Sequence, residues 1–60
     1  MATAARVAQK ERLYSLLVVK KAYEKAGLPI LPELKQAISH TAVIMRQEDI
    51  AHIEKQVEEN

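Results

Sequence analysis

Sixty residues without a cysteine exclude a disulfide framework and a thiolate metal site, and leave room for one small domain at most. The chain is 48% hydrophobic with only Tyr14 and Tyr23 for aromatics, too apolar for a disordered segment. A net charge of +1 conceals a split: six basic against two acidic side chains over residues 1–30 (+4), three against six over residues 31–60 (−3).

Met1 to Thr3 read as a frayed end, with the Thr3 hydroxyl placed to cap a helix that begins at Ala4. No Pro or Gly interrupts residues 6–26. Apolar side chains at 13, 16, 17, 19, 23 and 26 follow steps of three and four, the spacing of a helix. Leu13 to Val19 is the densest apolar run of the chain, and Tyr14, Val18 and Ala22 widen its stripe beyond half the circumference. Such a helix needs neighbours on two sides, as inside a bundle. A strand over Leu13–Val19 is the competing reading. The flanks oppose it, being rich in Ala, Lys, Glu and Arg without a turn residue at either edge.

Gly27, the one glycine, stands where a helix closes in the left-handed region, with Lys20, Lys21 and Lys25 near the negative end of the dipole. Pro29 and Pro32 forbid continuation. Leu28, Ile30 and Leu31 are apolar for a loop and are expected to fold back over the core. Pro32 suits the first position of a second helix, with Glu33 following at its positive end. Leu34, Ile38, Thr41 or Ala42, and Met45 repeat helically, as do Ile50, Ile53 and Val57, but the phase slips between Val43 and Glu48. One long helix with a stutter explains this. The alternative is a helix ending near His40–Met45 and a third starting around Gln47, since Ser39-His40-Thr41 and Val43-Ile44 are weak helix formers.

The continuous helix is the preferred reading. It predicts a single all-α domain over 1–60, with helices over about 4–26 and 32–58 joined by a loop at 27–31. Such an antiparallel hairpin leaves the Leu13–Val19 face half uncovered. Pairing into a homodimeric four-helix bundle covers it, with the two orientations of the dimer open. Three short helices are the alternative.

Candidate chemistry is sparse. His40 and His52 are twelve residues apart, roughly 18 Å along a helix, too far to share an ion within the chain. Glu48 and Asp49 lie one turn before His52, which suits an exposed ion pair better than a metal site. Ser39, His40 and Thr41 face different sides of a helix, with no acid or base placed to assist them. One glycine rules out a glycine-rich phosphate loop, and a helix–turn–helix is opposed by two prolines and by Glu33 at the start of the second helix. No catalytic residue, metal or cofactor is assigned.

The reading that remains is a small non-enzymatic regulatory or adaptor protein acting through helix–helix contact, with itself or with a helical partner. Its expected interface is Leu13, Leu16, Leu17, Val19, Tyr23, Leu34, Ile38 and Met45. The alternative is a dimeric nucleic-acid-binding regulator using Arg6, Lys10, Arg12, Lys20 and Lys21, with Tyr14 to stack on an unpaired base. Against that stands the simpler expectation that the basic and acidic halves pack together and neutralise. No small-molecule substrate is evident. No segment has the length of a membrane span, and no signal peptide or mitochondrial presequence is convincing, so a cytoplasmic location is expected.

Overall fold

The computed structural model describes residues 3–59, Thr3 by its backbone alone. The fraying and capping expected of Met1–Thr3 lie outside the described side chains, while the end expected to fray, Val57 to Asn60, is helical as far as Glu59. The described residues form helices joined by irregular and turn segments, with no strand, so Leu13–Val19 is helix. The helices are α1 (Thr3–Ala26), α2 (Pro32–Val43) and α3 (Gln47–Glu59).

The end of α1 follows from Gly27. Its φ of 72° lets the Leu28 amide donate to the Tyr23 carbonyl at 2.9 Å and its own amide donate to the Glu24 carbonyl at 3.1 Å. Those two bonds form a Schellman closure. At the start of α2, Leu31 is extended (φ −66°, ψ 142°) and has no side-chain cap. Its carbonyl accepts from the amides of Leu34 and Lys35. Pro32, with no amide to leave orphaned, opens the first turn.

The single second helix expected over 32–58 is two helices. α2 stops at Val43, and Ile44 leaves the helical region at φ −97°, ψ 2°. The Met45 amide closes a turn onto the Ala42 carbonyl, and α3 starts at Gln47. This is the alternative three-helix arrangement, and the slip in apolar phase is its cause. At about 100° per residue, a straight helix would aim Ile50, Ile53 and Val57 roughly 120° away from the line of Leu34, Ile38 and Met45. Breaking the helix returns both sets to α1. The hairpin of two long helices, the building block of the expected four-helix bundle, is therefore not formed.

α1 packs against both other helices, whereas α2 and α3 hardly meet. Asp49, at the start of α3, meets Arg6 near the start of α1, and the end of α3 meets Lys21. α3 thus runs in the same sense as α1, and α2 is the return stroke between them. At 24 residues, or about 36 Å, α1 sets the long dimension of the molecule, 41 Å. Its two required neighbours come from its own chain.

An arrangement this open buries little. Leu13, Ile53 and Val57 form the core, with Tyr14, Leu17, Ile38, Met45 and Ile50 partly buried against it. Leu13 is 1% exposed, and its burial contributes on the order of 2 kcal/mol. The buried polar Thr41 satisfies its hydroxyl by donating to the Ala37 carbonyl at 2.8 Å, one turn back.

The loop differs from expectation. Leu28 and Leu31 remain 54% and 47% exposed, and only Ile30 is half-buried. α3 reaches only the level of Lys21, more than a turn short of Gly27, so it offers no surface for these residues to cover.

Candidate interaction surfaces

The charged residues of α1 and α3 meet at both ends of α3. Glu48 and Asp49 occupy its first turn, where free amides favour an anion. Asp49 accepts from one terminal nitrogen of Arg6 at 2.9 and 3.1 Å, and Lys10 Nζ lies 3.7 Å away. The carboxylate side chain is only 13% exposed. Its pKa lies below the ordinary 3.8, chiefly through the Arg6 hydrogen bond, assisted by the charges of Arg6, Lys10 and Arg46 and opposed by desolvation. Because a single Arg6 nitrogen spans both oxygens, the buried Nε is left without a partner, so the pair falls short of a two-nitrogen fork.

At the other end, α3 has no basic residue in its own last turn. Lys21 of α1 supplies the cation, donating to the Val57 carbonyl at 2.7 Å and the Glu58 carbonyl at 3.3 Å. It satisfies carbonyls that a helix end leaves free. Three of the five basic residues considered for nucleic acid, Arg6, Lys10 and Lys21, therefore face groups of the chain itself. Arg12 is exposed and Lys20 half-buried. Nothing gathers the five into one patch. These contacts span 36 to 43 residues, and no local pattern announces them. The opposite charges of the two halves were the one available signal.

The expected interface residues divide. Leu13 is fully enclosed, and Leu17, Ile38 and Met45 pack against it. Leu16, Tyr23 and Leu34 are half-buried, and Val19 is 43% exposed. Apolar residues outside that set are also exposed: Val7 at 52%, Val18 at 37%, and the corner residues Val43 and Ile44 at 78% and 64%. The periodicity of α1 marks Val18 as part of a wide stripe. It does not show which part of the stripe α2 and α3 leave open.

A groove of about 740 Å³ runs between α1 and α3, lined by Val7, Lys10 and Tyr14 on one side and His52, Ile53 and Gln56 on the other. Its polar groups carry both signs. Asp49 turns to Arg6, and Glu48 lies 3.7 Å from Arg46, so neither pairs with His52. Among the described residues, no three His, Cys, Asp or Glu side chains gather where they could hold a metal ion. No described helix is long and apolar enough to cross a membrane. Compared with family models, curated proteins and solved structures, the chain matches none.

Proposed function

We propose that the chain is a small non-enzymatic regulatory or adaptor protein that acts by helix–helix contact, first with a second copy of itself and then with helical partners. One observation carries this reading. Among the described residues three apolar side chains are buried and seven large ones are at least 37% exposed, among them Val43, Ile44, Val7, Val18 and Val19. Single exposed aliphatics are ordinary, but so many on so short a chain favour an association that covers some of them. The internal use of Arg6, Lys10 and Lys21 gives the nucleic-acid alternative less support.

The test is to follow backbone amide resonances while the protein is diluted. Shifts confined to the exposed apolar positions, with helicity constant, are expected. Resonances unchanged over the whole concentration range would contradict self-association.

A further inference from the structure

We infer that the outer face of α1 pairs in antiparallel sense with the same face of a second copy, with Val18 at the two-fold axis and Glu11 of each chain against Lys25 of the other. The inference rests on the proposed role in helix–helix association and names its surface.

The face is set by the wheel of α1. Leu13 marks the direction of the core, and Val18, five residues on, points about 140° away from it. α2 and α3 pack against other sides of α1, and Glu11 and Ser15, at the N-terminal end of the face, also rim the groove between α1 and α3. Glu11, Ser15, Val18, Ala22 and Lys25 follow one another at steps of four, three, four and three, and all are exposed. That is the spacing of a helix-pairing seam. Val18 forms the apolar centre at 37% exposure, and Val19, about 100° further round the helix, borders the face at 43%. Ser15 and Ala22, before and after Val18, are small enough for two backbones to approach.

Charge then selects the occupant and its direction. Glu11 lies seven residues before Val18 and Lys25 seven residues after it. Neither makes an ion pair among the described residues. In an antiparallel pair centred on Val18, each Glu11 faces the second copy's Lys25, twice by symmetry. A parallel pair would set Glu11 on Glu11 and Lys25 on Lys25, which is repulsive. The surface is thus complementary to itself in one orientation only, as an isologous contact requires. The seam from 11 to 25 is about 21 Å long. A contact of that length belongs to the small class of interfaces, below about 1,200 Å², so the dimer is weak and concentration-dependent.

The experiment is sedimentation equilibrium on the full chain and three variants, Glu11→Lys, Lys25→Glu and Val18→Asp, with circular dichroism to verify helicity. Each charge reversal turns two attractive pairs into two repulsive ones, so each variant alone should dimerise about tenfold more weakly. An equimolar mixture of Glu11→Lys with Lys25→Glu restores opposite charges in both places and should associate more tightly than either variant by itself. Val18→Asp should remove the dimer. A wild-type dimer indifferent to all three substitutions would overturn this face while leaving self-association standing. Dimers lost in the single variants but not recovered in the mixture would overturn the Glu11–Lys25 register. A wild-type chain monomeric at every concentration would overturn both this inference and the self-association on which it rests. The reversals lie at exposed sites away from the core, so the mixing experiment decides the matter even where Val18→Asp fails to fold.

Discussion

At the scale of single residues, the fold depends on a few side chains that satisfy groups on another helix. Asp49 is the most informative. Its carboxylate sits at the positive end of α3 and receives Arg6, with Lys10 beside it. A carboxyl whose pKa is lower folded than unfolded stabilises the fold above the unfolded value, and that contribution disappears as pH falls through the folded value. For Asp49 the contribution is full above about pH 4 and is lost below its ordinary 3.8. Asp49→Asn should therefore lower the urea midpoint at neutral pH, and the gap between wild type and variant should narrow steadily as the solution is acidified below that point. Comparing the two proteins isolates Asp49, since every other side chain is common to both. A gap that is absent at neutral pH, or that persists undiminished in acid, would show that the Arg6 contact does not hold α3 in place. Leu17 teaches a related lesson about design. It packs against the core within the chain, so a charge placed there would damage the fold before it reported on association. Val18, one residue further and facing outward, separates the two effects.

At the scale of elements, each boundary has a local cause, and the causes differ in how plainly they are written. Gly27 ends α1 at a positive φ. A Cβ there would meet no atom within 4 Å, so the cost of substitution is conformational. Gly27→Ala should destabilise by about 1 kcal/mol, lowering the thermal midpoint by roughly 4–8 °C in a domain this small, measurable by circular dichroism. An unchanged midpoint would mean that the Schellman closure is unimportant. The extent of α1, the Gly27 stop and the Pro32 start were legible because each rests on residues adjacent in sequence. The break at 44–46 was visible only as a slip of phase. No Gly or Pro marks it, and the energy that breaks the helix is tertiary: Ile53 and Val57 gain burial against Leu13 only if α3 turns back. Propensity along the chain cannot weigh that gain, which is why a continuous helix looked the simpler choice. The clamps at the two ends of α3 were illegible for the same reason, since Arg6 and Asp49 are 43 residues apart. The surface was half legible. The stripe on α1 declared itself, but the side of it left bare depends on where α2 and α3 settle.

At the scale of the whole molecule, the opposite charges of the two halves and the excess of apolar side chains have separate outcomes. Part of the charge asymmetry is absorbed internally, through Arg6 and Lys10 on Asp49 and Lys21 on the carbonyls at the end of α3. The apolar excess is not absorbed, because α2 and α3, each packed on α1, enclose only Leu13, Ile53 and Val57 among the described apolar residues. A chain of 60 residues with so small a core has marginal stability by itself, and association that covers further apolar surface raises it. The account therefore ties stability to concentration and places function on the surface of α1 and its neighbours. The most direct test is molar mass in solution by light scattering, taken across a wide range of protein concentration at moderate and at high salt. The account predicts a mass that climbs from 6.8 kDa towards twice that value as concentration rises, with the climb shifted to higher concentration at high salt, where the Glu11–Lys25 pairs are screened. A mass fixed at 6.8 kDa throughout would contradict it.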